Sequence, residues 1–422
     1  MRMPESLRYK SILAGCLAAL AAVLPAVAAT YHVNPEGTGD FPTIQEAINA
    51  CVDGDSVLLA DGTYRDIQYQ GIRYWGKAIT VSSQSGNPER CVIDAEGRFG
   101  SGFYFCHDET EAAILEDITV INGYSWTGMG GGILIDNASP TIRGCILRDN
   151  LATHGGGIFI DGICSPVIED CHIHHNSADP YYGGGGGGIY FQGSPVIRNC
   201  LIEHNTAGEL GFPGGGGGIR GSGAGLIIDC VIRNNQAGSV GGGISVATSP
   251  EIVNCLVIDN IAGDYAGGIM FLTSLDWNPR AQGCTIVGNA APIGSAITNA
   301  PHLTGHPPTV ATLENCIIAF NEGDNPVWAF LRDWPFEFLC TDIYGNGGGD
   351  WLEPYAYQQH QAGNLCADPL FCDLEGRDLT LFNTSPCLPA NNECGVLIGA
   401  LGQGCTMTAT RAATWSAVKA LY

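Results

Sequence analysis

A six-residue phrase recurs along the chain: a cysteine, two mostly apolar residues, two mostly polar ones, then asparagine. It reads Cys145-Ile-Leu-Arg-Asp-Asn150, Cys171-His-Ile-His-His-Asn176, Cys200-Leu-Ile-Glu-His-Asn205 and Cys230-Val-Ile-Arg-Asn-Asn235, and it returns from Cys255 to Asn260, Cys284 to Asn289 and Cys316 to Asn321. Successive cysteines stand 26, 29, 30, 25, 29 and 32 residues apart. Residues 117–122 read as an earlier copy with Ile118 in the cysteine place. Most phrases lead into a glycine run closed by isoleucine, such as Gly155-Gly-Gly-Ile158 and Gly216-Gly-Gly-Ile219. Ser-Pro precedes many of the cysteines, as at Ser139-Pro140 and Ser165-Pro166.

Each unit reads as strand, turn, strand, strand, turn. Its short segments are rich in β-branched residues and broken by turn formers. A unit with three short strands cannot close a core alone, but copies stacked on one another can. The strands then pair in parallel with their counterparts about 4.8 Å away. Alternation turns the cysteine and the residue two later inward. The cysteines become one internal file, and the asparagines a second file at a turn, where amides bond along the stack. Recurrent Ser-Pro and runs of glycine exclude helical repeats. The predicted fold is all-β: a single-stranded right-handed parallel β-helix with an N-terminal capping helix and a cysteine-rich C-terminal segment. The predicted divisions are a signal peptide over 1–28, the β-helix with its cap over 29–365, and a cysteine-containing C-terminal cap and tail over 366–422.

These repeats resemble the pectin-lyase-like superfamily of right-handed parallel β-helices over residues 31–345. Asn235-Gln-Ala-Gly-Ser-Val-Gly-Gly-Gly-Ile244 also resembles the repeats of chlamydial polymorphic outer-membrane proteins. The resemblance implies the fold far more strongly than any activity. Enzymes of that superfamily carry recognisable groups: a calcium-binding acidic cluster with a basic residue in pectate lyases, and Asn-Thr-Asp, Asp-Asp and Gly-His-Gly in polygalacturonases. This chain has none of them, and Thr153-His154-Gly155-Gly156 lacks the Gly-His-Gly context.

An open stack needs its ends covered. Phe41 to Cys51 reads as a short amphipathic helix, with Thr43 and Glu46 at capping-box spacing and Ile44, Ala47, Ile48 and Cys51 on one face. Its phrasing, with Asp61-Gly-Thr-Tyr64, resembles the opening segment of pectinesterases, where it caps. Beyond residue 322 aromatics crowd in. Cys340 to Trp351 reads as a last degenerate coil, and the cysteines at 340, 366, 372, 387, 394 and 405 allow up to three disulfides with the pairing open.

Arg2, Arg8 and Lys10, an apolar run from Ile12 to Val27 and the small-residue site Ala26-Val27-Ala28 predict a cleaved export signal. The competing reading is lipid attachment at Cys16, in Leu13-Ala14-Gly15-Cys16. Secretion, or residence in the cell envelope or on the outer surface, follows from either, and no later segment could span a membrane as a helix. The formal charge is −24, and loss of residues 1–28 leaves −26. Such a field repels nucleic acid and polyanionic glycans unless a divalent cation bridges them. No cofactor is expected. Calcium suits so acidic a chain, but charge alone does not make a site.

Stacking aligns the residue before each asparagine: Asp149, His175, His204, Asn234 and Asp259, beside His174 and Glu203. Asp149, His175, His204 and Asp259 are therefore the candidate acid–base or ligand residues, against the plainer reading of an exposed polar edge. The cysteine file reads as packing, since it has no closely spaced ligand pairs, and no metal site is expected. Trp328, Trp334, Trp351 and Tyr355 are candidate sugar platforms among Asp333, Glu337, Asp342, Asp350 and Glu353, against the reading of a hydrophobic cap over the last coil. Two functions follow: a non-catalytic exported protein binding a polysaccharide or another cell-surface component, which is preferred, or a polysaccharide lyase or glycoside hydrolase.

Overall fold

The coils from Ile114 to Ala329 are each laid down as four strands, not three. In one coil these are Thr141–Arg143, Ile146–Arg148, Leu151–His154 and Ile158–Asp161. The computed structural model describes residues 28–65, 71–97, 100–179, 184–208, 214–273, 277–301, 309–330 and 336–406. The expected signal therefore lies outside the described residues except for Ala28, and so does the tail beyond 406. Among the described residues the four strands of successive coils build four parallel sheets, one to four in the order just given, of twelve, eleven, eight and ten strands. Together they make a right-handed solenoid. The unexpected strand is that of sheet three. In several coils it is only two residues long, Ser177–Ala178, Thr206–Ala207 and Gln236–Ala237, too short to show alternation. Its inward residue is a buried alanine in coil after coil.

Register is in phase around the stack. Ile146, His172, Leu201, Val231, Leu256, Thr285 and Ile317 lie opposite one another in sheet two. The files behind them are apolar and fully buried: Leu147, Ile173, Ile202, Ile232, Val257, Ile286 and Ile318. Each such side chain contributes about 1.5–3 kcal/mol by leaving water. The seven motif cysteines are buried at the corner between sheets one and two, and Ile118 takes the same place in the coil before. Glycine is required where sheet three turns into sheet four. Gly216 has φ +67°, and a Cβ on Gly217 would stand 2.5 Å from the carbonyl oxygens of Gln236 and Gly242.

The asparagines form the second file. Each Nδ2 donates to the Oδ1 of the next asparagine at 2.9–3.0 Å, from Asn150 through Asn176, Asn205, Asn235, Asn260, Asn289 and Asn321 to Asn346. Asn122 is not part of it. It stands opposite Asp149, and the following Gly123 donates its N–H to Asn150 Oδ1 at 2.8 Å. At the other end Asp350 Oδ1 accepts from both Asn346 Nδ2 and its N–H.

Both ends are covered. The helix α1 spans Ile44–Ala50, with the Thr43 side chain accepting from the Glu46 N–H and Ile44, Ala47 and Ile48 packed on the first coils. Lys77 Nζ donates to the carbonyls of Ile48 and Asn49 at its C-terminal end. The carboxyl end is closed by residues 346–365. Residues 366–406, expected as the cap, instead fold back along the outer side of sheet two. There Phe371, Leu379, Leu381, Leu388 and Ile398 cover Ile258, Val287, Ile317 and Ala319. Two disulfides hold this flap, Cys340–Cys394 and Cys372–Cys405, while Cys366 and Cys387 stay free. Among the described residues no helix is long and apolar enough to cross a membrane.

Candidate functional site

The column before the asparagines is a turn column. Asp149, His175, His204, Asn234 and Asp259 all have φ between 52 and 58°. A two-residue corner between sheets two and three demands a left-handed residue, and aspartate, asparagine and histidine tolerate that conformation best after glycine. Their side chains then divide. Arg148 pairs with Asp149 at 2.5 Å. Asp259 is gripped by Arg377 from the flap, with Nε 2.8 Å from Oδ2. His175 and His204 are exposed and stack at 5.1 Å between ring centroids.

The neighbouring outward column holds Arg148, His174, Glu203 and Arg233. Glu203 is nearly buried. It accepts from Arg233 Nε at 2.7 Å and lies 2.9 Å from His172 Nε2. Burial pushes its carboxyl up, but the hydrogen bonds from Arg233 and His172 outweigh it and hold the group below its ordinary range. His174 lies 2.7 Å from His175, Nδ1 to Nδ1. Burial first, then the positive charge His172, His175 and Arg148 can carry, pushes it down to about 4. An ionised, doubly engaged glutamate beside a neutral imidazole is poorly placed for proton transfer near neutrality. Similar pairs link successive coils elsewhere: Arg143 with Glu116 at 2.6 Å, Arg198 with Glu169 at 2.7 Å and Arg90 with Asp61 at 2.9 Å. The strip thus shares the chemistry of a coil-to-coil charge ladder. Among the described residues no three His, Cys, Asp or Glu side chains are arranged to hold a metal ion.

The aromatic candidates also divide. Trp351 and Tyr355 are buried, their rings edge-on to Phe338 at 5.3 and 5.7 Å, and Trp351 Nε1 donates to the Leu365 carbonyl. They cover the last coil and present no face to a ligand. Trp334 lies outside the described residues. Trp328 is half-buried and joins another column, the outward positions of sheet four.

That column escaped the sequence reading. It runs Arg73, Tyr104, Leu134, Phe159, Tyr190 and Arg220 on six consecutive strands, a length of about 24 Å. In register it continues through Ser245, Met270 and Thr298, all three buried, to Trp328. Phe159 and Tyr190 stack at 5.1 Å, nearly parallel, and His154 stands 5.0 Å from Tyr190. Phe159 is itself only 1% exposed, so the half-buried Tyr104 and Tyr190 are the aromatic faces that the column offers. The Arg73 guanidinium lies 4.5 Å over the Tyr104 ring and 5.5 Å from that of Trp75, which is 48% exposed. Asp136 and Gln192 fringe the column, and Gln192 Nε2 donates to the Tyr190 hydroxyl. The signal was present as the residue after each glycine-run isoleucine, a position not read as a file.

Residues 131–321 match the family described as a right-handed beta helix region. A search of solved structures finds the crystal structure of pectate lyase Pel9A, at a TM-score of 0.53 and 14% identity over 89% of this chain and 96% of that one. It also finds the pectin methylesterase from Aspergillus niger, at a TM-score of 0.35 and 13% identity over 78% of this chain and 88% of that one, a likeness too low to argue from. No protein of curated function matches the sequence. The likeness to Pel9A is one of fold alone. Residues 131–321 are a right-handed β-helix region, and the coils on either side of them continue the same solenoid.

Proposed function

We propose that this is an exported, non-catalytic β-helix that binds a neutral or sparsely charged glycan along the outer side of sheet four. The column from Arg73 to Arg220 carries the proposal. The accessible faces of Tyr104 and Tyr190, bordered by a few polar groups, suit sugar rings, whose faces are apolar and whose edges are polar. The strand spacing is close to the length of one sugar unit, so successive coils can address successive units. Arg73 and Arg220 could each meet an isolated carboxylate, while the overall negative charge opposes a densely anionic chain. The preference for binding over catalysis rests on the absent enzyme motifs and on the engaged side chains of the histidine strip. The alternative, a lyase or hydrolase, draws support from the fold it shares with Pel9A, and fold does not fix function.

Retardation in gels loaded with different polysaccharides tests the proposal. At least one neutral polysaccharide should retard the protein, and Tyr104→Ala with Tyr190→Ala should weaken that binding about tenfold, since each aromatic contact is worth about 0.5–1.5 kcal/mol. Release of reducing ends or unsaturated products, with or without calcium, and its loss in His175→Ala or His204→Ala, would overturn it in favour of catalysis.

A further inference from the structure

The seven motif cysteines stand in one row along the axis, all reduced and all buried. Each precedes the strand of sheet two in its coil, and those strands are in register, so the cysteines face one another coil by coil. Their thiols adopt one arrangement. Sγ of Cys171, Cys200, Cys230 and Cys255 each donates to the carbonyl two residues earlier at 3.2 Å and to a carbonyl of an earlier coil at 3.6 Å. The row is close enough for the Cys200 N–H to reach Cys230 Sγ at 3.5 Å.

Opposed residues of neighbouring parallel strands lie about 4.8 Å apart at Cα. Disulfides span roughly 4.4–6.8 Å at Cα and up to about 4.5 Å at Cβ. Each cysteine sits at a corner, after a left-handed residue such as Asp170, Asn199 or Asp229 and outside the strands proper. A closing movement of a few tenths of an ångström at Cβ, with rotation about χ1, therefore brings two sulfurs together. Once the coils are packed the row is closed to solvent, so any oxidation belongs to the folding chain.

We propose that this row is a disulfide zip: when the chain folds in the presence of a small-molecule disulfide, neighbouring cysteines of the row oxidise pairwise and bind successive coils covalently. In each event two cysteine thiols give up two protons and two electrons and form one S–S bond, and the external disulfide is reduced to two thiols. Each cysteine pairs once and only with a neighbour, and while the chain is folding a stranded thiol exchanges with the bond beside it until no further pair can form. At that maximum pairing seven in a row yield three bonds and one surviving thiol.

Parity makes this testable without reference to any activity. The chain is folded with oxidised glutathione, and preparations are kept in which Cys340–Cys394 and Cys372–Cys405 have formed, which proves that oxidant was present. Unfolding in an alkylating reagent and peptide mapping then count free cysteines of the row. The wild type should retain one, with cross-links only between neighbours. Cys200→Ala leaves rows of two and four and should retain none. Cys171→Ala isolates Cys145 and leaves a row of five, and should retain two. Seven alkylated cysteines in the wild type, the same change in both variants, or cross-links between non-neighbours would each overturn the zip. Should a variant fail to fold, the wild-type count and its cross-link map decide alone.

Discussion

At Asn205 one side chain satisfies four backbone or amide groups at once. Its Oδ1 accepts from both the N–H and the Nδ2 of Asn176, and its Nδ2 reaches Asn235 and the Ile173 carbonyl. Asn205→Ala strands several of these groups away from water, at about 1–3 kcal/mol each. A loss of about 3 kcal/mol is expected, read as a lowered urea midpoint, whereas His204→Gly one residue earlier, which keeps the left-handed corner unstrained, should cost about 0.5 kcal/mol or less. The contrast marks what was legible. Asparagine recurring at one place in every coil shows its role directly, because nothing else bonds to itself along a stack so well. The column beside it misleads, since the residues that tolerate a left-handed corner are also those that serve as acids, bases and ligands.

Among elements, the flap is where ionisation matters most. Asp342 opens the last strand of sheet two and is wholly buried beneath it. Its Oδ1 accepts from the Ala367 N–H and its Oδ2 lies 3.3 Å from Cys387 Sγ, with no cation in contact among the described residues. Burial, with Asp350 and Asp368 nearby, lifts its carboxyl to about 7 against those hydrogen bonds. The folded chain thus holds a proton that the unfolded chain releases from about pH 4 upward. The stability this group supports is complete below that point and is lost as pH rises to about 7, by up to about 4 kcal/mol. Asp342→Asn should match the wild type at pH 4 and exceed it at pH 8, read as hydrogen-exchange protection of residues 366–406 across that range. Equal protection at both pH values would refute it. The helix α1 was legible from its cap and apolar face. The position of the flap was also written in the sequence: the outward residue that is Arg148, His174, Glu203 or Arg233 in earlier coils becomes Ile258, Val287 and Ala319 where the flap lies. The sheet-three strands were not legible, because two residues carry no period.

Over the whole molecule the vulnerable places are the two terminal edges, where a parallel stack could recruit another chain. At the first strand Asp40 occupies both the N–H and the carbonyl of His32. At the last, Gln358 accepts from the Phe338 N–H and donates to the Phe336 carbonyl, while Asn364 donates to the Phe338 carbonyl and accepts from the Thr341 N–H. Two side-chain amides stand in for a further coil. Gln358→Ala combined with Asn364→Ala bares that edge, and light scattering should then report concentration-dependent self-association that the wild type lacks. A monodisperse double variant would argue that the covering loop alone is sufficient.

The asparagine file also has a polarity. Every carboxamide points its NH₂ toward the carboxyl end and its oxygen toward the amino end, so their dipoles add along the axis as peptide dipoles do in a helix. The positive pole comes to rest on the carboxylate of Asp350. An anion there completes the row electrostatically, which makes the solenoid a one-way structure: it can be extended by inserting coils within the row, whereas any coil added beyond Asn346 must first displace the charge that terminates it.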